Sequence, residues 1–88
     1  MSNYVFPEPP EDMPSLCEVR EKENEIVLAI NDTLDGPTYP IPIDRCDTKE
    51  KLIGWIDYIS QKEWATTLHI HQLIVETYKH FAWPLPTV

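Results

Sequence analysis

Residues 39–44 read YPIPID, placing Tyr39, Ile41 and Ile43 at alternate positions with Pro40 and Pro42 between them. In a strand, side chains alternate faces and backbone N–H groups alternate edges, both with period two. The two prolines therefore lose their donors on the same edge, while Tyr39, Ile41 and Ile43 share one face. A strand so built cannot be extended on its proline side but pairs normally on the other. The stretch is predicted to be an edge strand with its outer side closed, paired inward with residues 25–31. Any strand addition by a partner or a second copy is then restricted to the first strand. The charges Glu18, Arg20 and Glu21 discourage casual pairing there.

Working upstream, EIVLAIN (25–31) is a compact β-branched run, KEN (22–24) is a polar turn, and LCEVRE (16–21) alternates weakly. NDTLDGPT (31–38) is rich in turn formers, with Asp35-Gly36 as its tightest signal. Downstream, DTKE (47–50) offers Asp47 as a helix N-cap with Glu50 three residues on. Leu52, Trp55, Ile56 and Ile59 then recur at helical spacing. Residues 60–65 form a short connection, Thr66 or Thr67 caps a second helix, and Pro84 stops it. Its expected inner stripe is Ile70, Leu73, Ile74, Thr77 and Phe81, with Leu68 and Tyr78 at the margins. Two helices so closely joined pack as an antiparallel pair.

The expected fold is α+β: a three-stranded antiparallel meander packed on an antiparallel helical hairpin, in the order βββαα. Residues 16–83 form this single domain. Residues 1–15, with four prolines and three acids, read as a flexible N-terminal tail, and residues 84–88 as an extended C-terminal one.

Fifteen acids against seven bases leave a net charge of −8 on 88 residues. Such a charge repels nucleic acid and anionic membranes and favours a protein partner with a basic surface. No apolar run approaches the ~20 residues of a membrane span, and no basic leader precedes an apolar stretch. A cytoplasmic location in a bacterial host cell is expected. Cys17 and Cys46 read as two reduced, partly buried thiols, with a disulfide between strands as the alternative.

No constellation of catalytic residues emerges. His69 and His71 point about 200° apart on a helix, and His69 and His80 lie about 16 Å apart along it. The three histidines are therefore expected on a polar outer face, with no metal bound. Glu18, Glu21, Glu23 and Glu25 read as solvated hairpin charges. With glycine only at 36 and 54 there is no phosphate-cradling loop. Neither an enzyme nor a cofactor is expected. The residues assigned to partner contact are Tyr4, Phe6, Glu18, Glu21, Trp64 and Trp83. Trp55 is expected in the core and Trp64 at the end of the helical pair. Trp83 either docks back or anchors an interface. Tyr4, Val5 and Phe6 either dock on the domain or serve as a linear motif.

The stretch IPIDRCDTKEKLIGWIDYISQKEWAT (41–66) resembles a segment of short, uncharacterised reading frames of bacteriophages and prophages. The likeness lies in Asp47-Thr48, Leu52 to Ile56, and Lys62 to Thr67, about a third of the chain. It implies a small phage accessory protein that binds a host or phage protein, including inhibitors of the anti-CRISPR or anti-restriction type. An oligomeric assembly protein of the phage, held as a homodimer or larger multimer, is the alternative. A helix-turn-helix regulator ranks last, because Lys79 is the one fixed positive charge on the second helix.

Overall fold

The computed structural model describes residues 14–84. Three strands, β1 (Cys17–Arg20), β2 (Glu25–Ala29) and β3 (Thr38–Pro42), form an antiparallel sheet in the order β1-β2-β3. Two helices follow, α1 (Lys49–Ser60) and α2 (Thr67–His80). The α+β architecture and its βββαα order are those expected from the sequence. The segments Tyr4, Val5, Phe6 and Leu85 lie outside the described residues.

The strands are shorter than the apolar runs that produce them. β1 ends at Arg20 because residues Glu21–Glu23 wind into a 3-10 turn closed by Asn24 at φ 57°. Asparagine tolerates this left-handed conformation better than most residues. β3 ends at Pro42, so Ile43 is the first residue of a 3-10 turn (Ile43–Arg45) instead of a strand position, although its side chain is buried.

The bonds Ile30 N–H to Pro37 O and Ile43 N–H to Asn24 O, both 3.0 Å, set the phase of the β2–β3 ladder. Odd residues of β3 turn their backbone groups towards β2, and Pro40 and Pro42 turn theirs outward. The outer edge is thus closed where the missing donors place it.

The helices cover the face bearing Cys17, Ile26, Leu28 and Ile41, which joins Ile43, Cys46, Leu52, Ile59 and Leu73 in one core. α2 lies over β1 and β2, with α1 beside it towards β3. The sheet is not simply half-wet: Val27 and Ala29, on the face opposite the helices, are also buried.

Two details of the helices correct the sequence reading. The N-cap of α1 is Thr48, not Asp47: its side chain accepts from Lys51 N–H at 3.2 Å, while Asp47 pairs with Lys51 Nζ at 2.9 Å. On α2, His69, Gln72 and Val75 are buried together with Leu73 and Thr77, whereas Ile74 is only half-buried. His69 therefore does not belong to a polar outer face. Packing on β1 as well as on α1 buries more of this helix than one stripe.

The reason His69 and Gln72 tolerate burial lies in the end of the β1–β2 ladder. Ala29 N–H donates to Leu16 O at 2.9 Å, but the reciprocal bond of that rung is absent. Leu16 N–H donates instead to Gln72 Oε1 at 2.6 Å, and Ala29 O accepts from His69 Nε2 at 2.8 Å. Gln72 Nε2 also donates to Pro14 O at 2.9 Å. Thr66 N–H donates to His69 Nδ1 at 3.0 Å, so the ring proton resides on Nε2 and both nitrogens are satisfied. Thr66 caps α2 in the same motif.

Candidate functional site

Along one flank of α1, Lys51, Trp55 and Tyr58 follow one another at spacings of four and three, which places them in a single line, and Lys62 follows just past the helix end. This line faces Tyr39 of β3 and Arg45 of the second 3-10 turn across a cleft of about 730 Å³. Asp44 and Gly54 complete its walls. Residues of this type, two tyrosines, a tryptophan and an arginine, are those over-represented at energetic centres of protein interfaces.

Each wall is held by specific contacts. Trp55 Nε1 donates to Arg45 O at 3.0 Å, tying the helix to the 3-10 turn that follows β3. The indole is half-buried at the cleft, not enclosed in the core as expected from its stripe position. It meets Tyr58 edge-on, with ring centroids 5.9 Å apart. Lys62 Nζ sits 4.4 Å from the Tyr58 ring centroid and 5.7 Å from that of Tyr39, and donates to Tyr58 OH at 3.2 Å. This ammonium, followed by a hydrogen bond from Tyr39, lowers the pKa of the Tyr58 hydroxyl. Partial burial, then the bond to Tyr58, raises that of Tyr39. The two phenols and the lysine thus form one polar cluster at the cleft's end.

Gly54 is the unusual residue of the wall. It lies mid-helix, where glycine costs about 1 kcal/mol relative to alanine, and a Cβ built there meets nothing within 4 Å. Among the described residues no atom requires the side chain to be missing. Ile53 beside it is 64% exposed, the most exposed large apolar residue described.

The residues singled out in the sequence fall elsewhere. Trp64 packs between Tyr39 and His69, with centroids 5.8 and 5.4 Å away, and so touches the cleft only through Tyr39. Trp83 docks back: its N–H donates to Tyr78 O at 2.9 Å and its ring stacks on Phe81 at 5.0 Å. Glu18 pairs with Arg20 at 2.5 Å, and Glu21 stands 3.8 Å from His80. Both line a second groove, between β1 and the end of α2. Tyr4 and Phe6 lie outside the described residues.

Sequence reasoning missed Tyr39, Arg45, Lys51, Tyr58 and Lys62. The Lys-Trp-Tyr-Lys spacing was legible, but assigning Trp55 to the core concealed it.

Both thiols are free and buried. Burial raises both, Cys17 strongly and Cys46 to about 11, which suppresses thiolate chemistry. Among the described residues, no group of three or more His, Cys, Asp or Glu side chains could hold a metal ion. No described helix is long and apolar enough to cross a membrane. The chain matches no protein-family model, no curated protein and no solved structure.

Proposed function

We propose that this chain is a small, non-enzymatic accessory protein of a phage or prophage that binds a host or phage protein. In its sharper form the target is a host nucleic-acid-processing or defence complex, inhibited in the manner of anti-CRISPR or anti-restriction proteins. The cleft of Tyr39, Trp55 and Tyr58 is the contact surface. The observation that carries this reading is Gly54, a helix-interior glycine whose cost the packing of the described residues does not explain. A partner approaching α1 closely there gives the missing side chain a purpose. Rigid aromatic rings beside it supply contact area at little entropic cost. The net charge of −8 steers a partner with a basic surface, while Arg45, Lys51 and Lys62 receive carboxylates locally.

Affinity capture from bacterial lysate tests this, comparing the native chain with Tyr58→Ala and Lys51→Glu. One protein retained by the native chain and lost with both variants supports the reading. Equal retention by all three removes it. The exposed Ile53 favours a second reading, in which α1 meets a second copy in an oligomeric assembly protein. Light scattering then shows a multimer that Ile53→Lys disperses.

A further inference from the structure

The second groove runs along the opposite edge of the sheet, where a further strand would add. Packed helices sit about 8–10 Å apart, whereas neighbouring strands are spaced about 4.8 Å. Two helices side by side therefore cover about four strands. This sheet has three. On the β3 side the edge is closed by Pro40 and Pro42, so the edge able to accept a further strand is that of β1, over which α2 packs. A groove of about 640 Å³ lies there, lined by residues 18–23 of β1 and its turn and by Glu76, Lys79 and His80 of α2.

The backbone of β1 is oriented to receive that strand. The bond from Ala29 N–H to Leu16 O sets the phase of the β1–β2 ladder, so even residues of β1 face β2 and odd ones face away. Val19 thus directs its N–H and C=O into the groove, and none of the described residues hydrogen-bonds them. Nothing in CEVR resembles the prolines of β3.

The side chains decide what kind of strand fits. Val19 packs against the core from this edge and offers an apolar neighbour on the helix side. Glu18 and Arg20 point to the other face, where they neutralise each other in a 2.5 Å pair. Of the remaining charged groups along the groove, Glu21, Glu23 and Glu76 are acidic, against Lys22, Lys79 and His80, on a molecule carrying −8 overall.

We propose that the groove along β1 is a strand-addition site for an extended segment of another protein, alternating apolar and basic residues. Its backbone bonds Val19, its apolar side chains lie beneath α2, and its lysines or arginines point to the opposite face, favoured by the net charge of −8. This surface is separate from the aromatic cleft, and the proposal stands whether or not the cleft binds a partner.

The test uses the full chain, uniformly labelled with nitrogen-15, and three blocked heptapeptides: KVKVKVK, the same sequence N-methylated at alternate valines, and EVEVEVE. The lysine peptide is expected to slow hydrogen exchange of the Val19 amide at least tenfold. The methylated peptide, unable to extend the ladder, and the acidic one are expected to bind at least tenfold more weakly. Val19→Pro in the full chain, which removes the outward donor together with a side chain packed on the core, is expected to weaken binding of the lysine peptide at least tenfold, read from the shifts of the other amides on titration, while the spectrum stays dispersed. If that variant unfolds, the methylated peptide still decides. Failure of the lysine peptide to bind at millimolar concentration overturns the proposal. So do equal binding of the acidic peptide and perturbation confined to Tyr39, Gly54 and Tyr58, the last of which assigns binding to the cleft.

Discussion

His69 Nε2 and the carbonyl oxygen of Ala29 meet at 2.8 Å across forty positions of sequence, and this contact fastens α2 to the central strand. Both groups are buried, so removing the imidazole strands a carbonyl without water. His69→Ala is expected to lower unfolding free energy by about 2–3 kcal/mol, combining that penalty with loss of the reciprocal cap. Urea denaturation measures it. Gln72→Leu should cost about 1–3 kcal/mol by the same physics and accelerate exchange of the Leu16 amide.

The cap of α1 separates two neighbouring residues. Thr48→Ala removes the side-chain acceptor of Lys51 N–H and should cost about 1 kcal/mol. Asp47→Ala breaks only an exposed ion pair with Lys51 and should cost about 0.3–0.5 kcal/mol. Paired denaturation curves decide between them. A larger loss at Asp47 contradicts the cap assignment.

Pro40 and Pro42 close the outer edge of β3, so restoring donors there should open it. Pro40→Thr with Pro42→Thr is expected to preserve the fold but raise the apparent mass with concentration in light scattering. A mass curve identical to the native chain's means that something else protects this edge.

Alkali should destabilise the protein through its thiols. Cys46 is held protonated up to about 11 in the folded state, against 9.0 for an exposed thiol, chiefly because burial disfavours the thiolate. Asp47 and Asp44 add to the effect. Between these values the unfolded chain releases a proton that the folded chain keeps. Stability is therefore full below about pH 9 and falls as pH rises towards about 11. Cys17, raised by burial first and Glu76 second, acts in the same direction. Denaturation midpoints across this range should fall less steeply for Cys46→Ala than for the native chain.

Gly54→Ala should raise stability by about 0.5–1 kcal/mol, since the added methyl enters open space. The same variant should weaken capture of the partner if a close approach to α1 is required. Stability and capture moving in opposite directions is the signature to look for.

Secondary structure and strand order were readable from local patterns because local physics dictates them. YPIPID declares a closed edge through the chemistry of proline alone, and Leu52 and Ile59 declare a buried face through helical period. The cap of α1 was displaced by one residue because Asp47 and Thr48 both have capping side chains, and backbone dihedrals choose between them.

The candidate sites were hidden for a different reason. Glu18 and Glu21 read as charges, but nothing near them in sequence reveals α2 running alongside. Tyr39 and Arg45 join Trp55 and Tyr58 only once β3 is laid against α1. His69 looked like a surface residue because its burial depends on Ala29, forty positions away, presenting a carbonyl that needs a donor. Periodicity reports which face of an element is apolar. Which polar groups that face can bury depends on partners brought together by folding, since desolvating them is tolerable only where a hydrogen bond replaces water.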